Sequence, residues 1–244
     1  MSTLMNRLAK SWGDVTRDVV LIVASILIAF ALDAWWDGLG ERRAQSEQIS
    51  TLLAEFETAR NRITSLSGAI QDASQATNKL LTLMGPEAAA PDSEKFFNLL
   101  ERSLNFGGAI PSQTALVSVL ATGNPKIGES DSLIELLWNW PALMEDIKVD
   151  FALLDQNRDV DLQTALVNIG IGGIGATPSV ERLGLPPSSF PIDTARMVRS
   201  VEVYAALSYR ALRLRVLSLS VDKAIRRVDL IIEELNRVPG KNVG

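Results

Sequence analysis

Val19–Leu32 reads VVLIVASILIAFAL, without one charge, and runs into Asp33-Ala34-Trp35-Trp36-Asp37. No other stretch of the 244 residues is as apolar. The tryptophan pair suits the amphipathic boundary where lipid meets water. The reading that follows is a single transmembrane helix over residues 18–37, with Arg17, Asp33, Trp35 and Trp36 at the membrane interface. Its length is modest: fourteen residues rise ~21 Å, and extension through Trp36 gives ~27 Å against a hydrocarbon core of ~30 Å. Snorkelling by Arg17 and local thinning of the bilayer close the gap.

Two other readings stay open. Arg7, Lys10 and Arg17 could form the n-region of a secretory signal, with Ala29-Phe30-Ala31 as its cleavage site. Asp14 and Asp18 in that n-region count against it, as does the helical pattern continuing past the cut. A buried helix of a soluble core is the third reading. For an anchor, three basic residues before the span and Arg42 and Arg43 after it favour a cytoplasmic N-terminus. Residues 1–17 are then cytoplasmic and residues 38–240 form a domain outside the cytoplasm, in the bacterial periplasm.

Composition narrows the chemistry. The chain has no histidine and no cysteine and carries a net charge of −5. Missing histidine removes the Ser-His-Asp triad and every histidine-based metal motif; missing cysteine removes disulfides and thiolate chemistry. An acidic balance argues against nucleic acid as a partner. No cofactor motif and no catalytic constellation stands out, so the expectation is a non-enzymatic protein.

Helical spacing dominates the rest. From Glu41 to Met84 apolar or small residues recur at Ile49, Leu52, Phe56, Ala59, Ile63, Leu66, Ile70, Ala73, Thr77, Leu80 and Met84. Steps of three and four predict one long helix with a coiled-coil-like seam, stopped by Gly85-Pro86. Asp92 or Ser93 caps a helix carrying Phe96, Phe97, Leu99, Leu100 and Leu104, broken at Gly107-Gly108. Ser112 caps a short helix that ends at Gly123-Asn124-Pro125. A further helix starts at Ser130, is kinked or restarted by Pro141, and resumes through Leu143, Ile147, Phe151 and Leu154. Another run is expected from Val160 to about Ile169, and residues 170–191 are expected to be irregular. Asp193 to Val238 reads as a second long helix with the stripe Leu207, Ala211, Leu214, Ser218, Val221, Ile225, Val228, Ile232 and Leu235, ended by Pro239-Gly240. The fold class is therefore all-α: one transmembrane helix, then an elongated antiparallel bundle with two long helices.

The anchor carries a resemblance. Asp18-x-x-Leu21-Ile22-Val23-x-Ser25-Ile26-Leu27-Ile28-Ala29-Phe30, then Leu32-Asp33-x-Trp35-Trp36-Asp37, resembles the opening of a family of uncharacterised bacterial membrane proteins. Its members show LIVxGILIAL, an Asn or Asp, a Trp, an acidic residue and a basic helix, which Arg42, Arg43 and Glu47 match here. Ala115-Leu116 through Leu120, Thr122-Gly123-Asn124 and Leu133 is similar to a mid-domain pattern of that family. Ser25 stands where the family has glycine. The resemblance implies a single span and a helical domain outside the cytoplasm, and no activity.

Other patterns are discounted or kept as contacts. Gly170-x-Gly172-Gly173-x-Gly175 matches a dinucleotide fingerprint in letters but follows a helix rather than a strand, so it reads as a linker. Asp155-x-Asn157-x-Asp159 imitates a calcium loop, but Val160 and Leu166 occupy the glycine and bidentate-glutamate places. Acidic residues crowd residues 129–161, whereas the last helix is rich in arginine; this gives either internal complementarity or a partner surface. Ser25 and Ala29 form a small-xxx-small pair suited to helix pairing. Trp138 and Trp140, two apart, cannot both point to one side of a helix: one reads as core and the other fills a gap in the bundle or a pocket of a partner, with both inside the core as the plainer reading. The expected partners are membrane lipid, other membrane or periplasmic proteins and a second copy of the chain. The leading function is an anchored scaffold or accessory subunit, and the alternative is an extracytoplasmic ligand-binding or sensory bundle.

Overall fold

The computed structural model describes residues 2–105, 107–121, 130–170 and 193–238, without the side chains of residues 2–22, 24, 34, 37, 41 and 42. Every regular element among them is helical: α1 (Ser2–Thr82), α2 (Ser93–Leu104), α3 (Thr114–Ala121), α4 (Asp131–Gln156), a π-helical turn (Asn157–Leu162), α5 (Gln163–Asn168), α6 (Thr194–Arg199) and α7 (Val201–Arg237). The all-α expectation holds. Two compact units divide the chain, one built on α1 up to Ser50 and the other spanning Thr51–Arg237. The terminators expected at residues 123–125 and 239–240, the Thr122-Gly123-Asn124 match and the glycine-rich run after Gly170 lie outside the described residues.

The second unit is a bundle whose course follows from its contacts. Along α1 the seam from Leu52 to Leu80 is buried at each expected position. α7 runs antiparallel to it: Arg60 Nε donates to Asp229 at 2.6 Å, while Leu80 clusters with Val203 and Leu207. Asp92 caps α2 by accepting from the Lys95 N–H at 2.9 Å, as its sequence predicts. α2 then descends α1, with Arg102 paired to Asp72 and the buried hydroxyls of Thr77 and Ser103 2.7 Å apart. Gly108 is needed for close approach, because a Cβ there would stand 2.5 Å from Leu66 Cδ1. At the foot of this descent Glu55 on α1 accepts from the Ala115 and Leu116 N–H groups at 2.8 and 3.1 Å. A carboxylate distant in sequence thereby satisfies orphan donors at the start of α3; Ser112 adds a weaker 3.4 Å contact from the Thr114 N–H. α4 climbs back beside α7. Ser130 caps it, and the edge of Trp140 meets Phe56 with centroids 5.3 Å apart.

Four expectations change. Pro141 neither ends nor restarts α4, which is assigned as one helix through it. No gap separates α4 from the next run, because a π turn joins α4 to α5. The last helix is two: Asp193 caps α6, the chain turns extended at Ser200 (φ −79°, ψ 125°), and Ser200 Oγ accepts from the Val203 N–H at 3.2 Å to start α7. The interior stripe of α7 is also rotated from the expected one. It runs Val203, Leu207, Arg210, Leu214, Leu217, Val221, Ala224, Val228, Ile231 and Leu235, while Ala211, Ser218, Ile225 and Ile232 flank it. Both stripes keep three-four spacing and differ in which step comes first, a choice that spacing alone does not make.

Trp140 is 1% exposed, and its large side chain fills the centre of this bundle. Trp140→Ala should lower the unfolding free energy by ~3–5 kcal/mol, against less than ~0.5 kcal/mol for Val117→Ala on the exposed face of α3. Urea titration of the full chain in mild detergent, followed by circular dichroism, measures both.

Candidate interaction surfaces

The residues singled out from the sequence fall on two surfaces and one interior site. On α1, Val23, Ile26, Leu27, Ile28, Phe30, Leu32, Trp35 and Trp36 are all about half exposed or more, with Trp36 at 72%. Their helical angles cover every side, so nothing in the described chain covers this segment. Trp35 and Trp36 meet edge to face, with centroids 6.0 Å apart. Asp33, Ser25 and Ala29 are exposed on the same segment; Arg17 lies on α1 with its side chain outside the description. Among the described residues no helix is long and apolar enough to cross a membrane. Within residues 18–37 the side chains described are those of residues 23, 25–33, 35 and 36.

The tryptophans of α4 separate. Trp140 is core, which removes it from the contact candidates, whereas Trp138 is 52% exposed. Few ion pairs join the two oppositely charged stretches among the described residues. Among the described residues one ion pair links α4 to α7, Arg213 Nη2 to Asp150 at 2.6 Å, and the Ser220 hydroxyl donates to the other carboxylate oxygen at 3.1 Å. Arg158 is spent on its neighbours Asp155 and Asp159, and Lys148 on Glu145. The false calcium loop is part of the helix, and its Asn157 side chain turns inward to donate to Ala206 O at 3.1 Å.

A polar groove of about 410 Å³ lies between α1 and α7. Ser67, Gln71, Ser74 and Asn78 line one wall, and Arg215, Ser218 and Asp222 the other. Both rows step by three and four residues, so each helix carries a polar stripe beside its buried one. On α7 the sequence pattern places Ser218 in the apolar stripe, so the groove is not read from spacing there.

The interior site is Arg210, which sequence reasoning assigned to a basic face. It is 1% exposed. Its Nε donates to Ser103 O at 2.8 Å, Nη2 to Leu104 O at 3.1 Å and Nη1 to Leu154 O at 3.1 Å. Ser103 and Leu104 end α2, where carbonyls lack helical partners and the dipole is negative. Leu154 O sits where α4 widens into the π turn and also accepts from the Asn157 N–H. Burial first, and Arg158 second, push the guanidinium down to about 10 against the opposing pull of Asp155 and Asp159, and it remains charged at neutral pH. Asn157 Oδ1 and Arg213 Nε beside this cluster are buried without a partner. The signal that finds Arg210 is its place in the ladder Val203, Leu207, Leu214, Leu217.

Arg210→Met keeps the volume but orphans the Ser103 and Leu104 carbonyls and takes one of two donors from Leu154 O, and should lower the unfolding free energy by ~3 kcal/mol or more in the same urea titration. A loss below ~1 kcal/mol would show that the clamp does not hold α2 in place. No family model matches this chain, and neither a curated protein nor a solved structure matches it.

Proposed function

We propose that this chain is a single-pass, non-enzymatic scaffold or accessory subunit of the bacterial inner membrane. Residues 18–37 span the bilayer, residues 1–17 stay in the cytoplasm, and the bundle acts in the periplasm through contacts with other membrane or periplasmic proteins. The observation that carries this reading is the uncovered apolar run of α1. A row of branched aliphatic side chains and two tryptophans open on all sides costs ~25 cal/mol per Å² in water, a cost that lipid removes. The absence of any charge from Val19 to Leu32 supports it, as does the resemblance of that motif to the anchors of uncharacterised membrane proteins. Trp35 and Trp36 would set the depth of the helix, with Arg17 and Asp33 among the headgroups. Ser25 and Ala29 offer a small-residue face on which a neighbouring helix could pack.

The polar groove between α1 and α7 favours a second reading, an extracytoplasmic bundle that binds a small polar ligand. Its volume falls within the range of ordinary ligand sites, though such sites are usually more apolar than this one. Arg215 and Asp222 supply one charge of each sign.

Fractionation of cells followed by native mass spectrometry of the full chain in mild detergent separates these readings. The expected result is a full-length mass in the carbonate-resistant membrane pellet, with protein companions in fixed ratio. Leu27→Arg combined with Phe30→Glu should move it to the soluble fraction, because each charge at mid-span costs ~2.5–3.5 kcal/mol. A mass lacking the first residues up to Ala31 would overturn the anchor in favour of a cleaved signal. A full-length chain without protein companions but holding a small molecule would overturn the scaffold in favour of the groove.

A further inference from the structure

We propose that the chain forms a two-fold homodimer in which the outer face of α4 in each copy packs on the outer face of α7 in the other. This goes beyond the preceding reading, since it needs neither lipid nor a different protein. On α4, Trp138 and Val149 are each 52% exposed and stand eleven residues apart. On α7, Leu219 and Leu230 have the same separation, and both are about half exposed. Eleven residues make just over three turns, ~16.5 Å, so each pair lies close to one line of its helix. Leu212, seven residues before Leu219 and 59% exposed, prolongs the line on α7. Single exposed apolar residues are ordinary; matched lines on two neighbouring helices make a patch.

The charges on the two lines are opposite. Glu135 and Asp146 flank the α4 line, while Lys223, Arg226 and Arg227 lie between Leu219 and Leu230. None of these five side chains makes an ion pair or hydrogen bond among the described residues. Arg227 follows Arg213 and Ser220 at seven-residue steps and lies on the flank of α7 nearest α4, whereas Arg226 is exposed on the outer face. Val149 and Leu219 directly precede Asp150 and Ser220, the hydrogen-bonded pair that closes the seam between the helices.

One symmetry brings the lines together. A two-fold axis parallel to the helices lays α4 of one copy along α7 of the other, antiparallel and at the same height. The register of α4 on α7 is set by Ser130 with Glu234, Asp150 with Arg213 and Ser220, and Asn157 with Ala206. Carried across the axis, it seats Val149 among Leu212, Val216 and Leu219 of the second copy. Trp138 falls over Arg226 and Leu230 of that copy, where the guanidinium meets the indole face. Glu135 and Asp146 then oppose the basic row. The other two-fold, which puts α4 on α4 and α7 on α7, would set acid against acid and base against base. The contact is isologous and closes on itself, so assembly stops at two copies.

The chain has no cysteine, so introduced thiols report alone. Two differently tagged full-length copies, one Val149→Cys and one Val216→Cys, are co-expressed and oxidised in mild detergent. The expected product is the mixed disulfide, at least ~10-fold more abundant than the 149–149 or 216–216 products, because a disulfide needs Cα atoms within about 7 Å. Arg226→Glu in both copies should cut the yield several-fold, and adding Glu135→Arg should restore it, which a merely misfolded variant would not do. Equal yields of all three products, no mixed disulfide, or a monomer mass by light scattering at micromolar concentration would each overturn the dimer. Fractionation reads the anchor separately, so either proposal can fail without the other.

Discussion

The bundle depends on one buried cation. Arg210 takes a place in the interior stripe of α7 that spacing reserves for an apolar residue, and it spends three donors on three carbonyls from two other segments. A desolvated charge without partners would cost several kcal/mol, so the surroundings are built to meet it. α2 ends at that level, presenting free carbonyls and the negative end of its dipole. α4 widens into a π turn at the same level, and Leu154 O comes within reach. Asn157, in that turn, donates to α7 one turn from Arg210. The end of α2, the irregularity of α4 and the height of α7 are thus one constraint. Beyond it lies the apolar cluster of Leu80, Phe96, Leu100, Leu166, Met197 and Leu207.

What could be read from the sequence divides along the same line. Where burial is purely apolar, periodicity found it: the α1 seam is buried from Leu52 to Leu80, and Asp92 and Ser130 cap the helices they precede. Where burial is polar, periodicity misled. An arginine in a basic helix looks like surface, and with Arg210 set aside the α7 stripe slid onto Ala211, Ser218, Ile225 and Ile232. Asp150, bound to Arg213 and Ser220, is one place where the internal complementarity of the two charged stretches is realised. Ser200 was hidden inside a helical run because nothing local marks its extended turn except its own capping hydroxyl. Glu55 caps α3 from 60 residues away, a relation no local pattern holds. Pro141, expected to kink or restart its helix, does not restart it: α4 runs through.

The opposite charges of α4 and α7 draw a further distinction. Ion pairs within helices absorb Glu145, Asp155, Asp159, Glu233 and Glu234, and one cross-pair absorbs Asp150. Exposed pairs of this kind add little stability, ~0–1 kcal/mol each, so they do not explain why the chain segregates its charge. The unpaired remainder stands beside exposed large apolar side chains on the outer faces of both helices. Complementary rows of that kind act on encounter and on the choice of partner more than on folding. The segregation therefore suits the proposed association, while Arg210 and Asp150 belong to the fold.

α1 itself records a change of surroundings. From Leu52 onward its large apolar residues keep to one stripe, the pattern of a helix with water on one side and protein on the other. From Val23 to Trp36 they point in every direction, a pattern that is costly in water at any angle of view. The residues between, Gly38-Leu39-Gly40-Glu41-Arg42-Arg43-Ala44-Gln45-Ser46-Glu47-Gln48, are mostly polar. Gly38 and Gly40 would have nothing within 4 Å of an added Cβ, so no close packing demands them. Each costs the helix ~1 kcal/mol relative to alanine. Two unforced glycines thus weaken α1 where its all-round apolar pattern gives way to a one-sided one. On the proposed anchor, that weak point would fall outside both the span that must stay hydrogen-bonded and the seam that must stay packed.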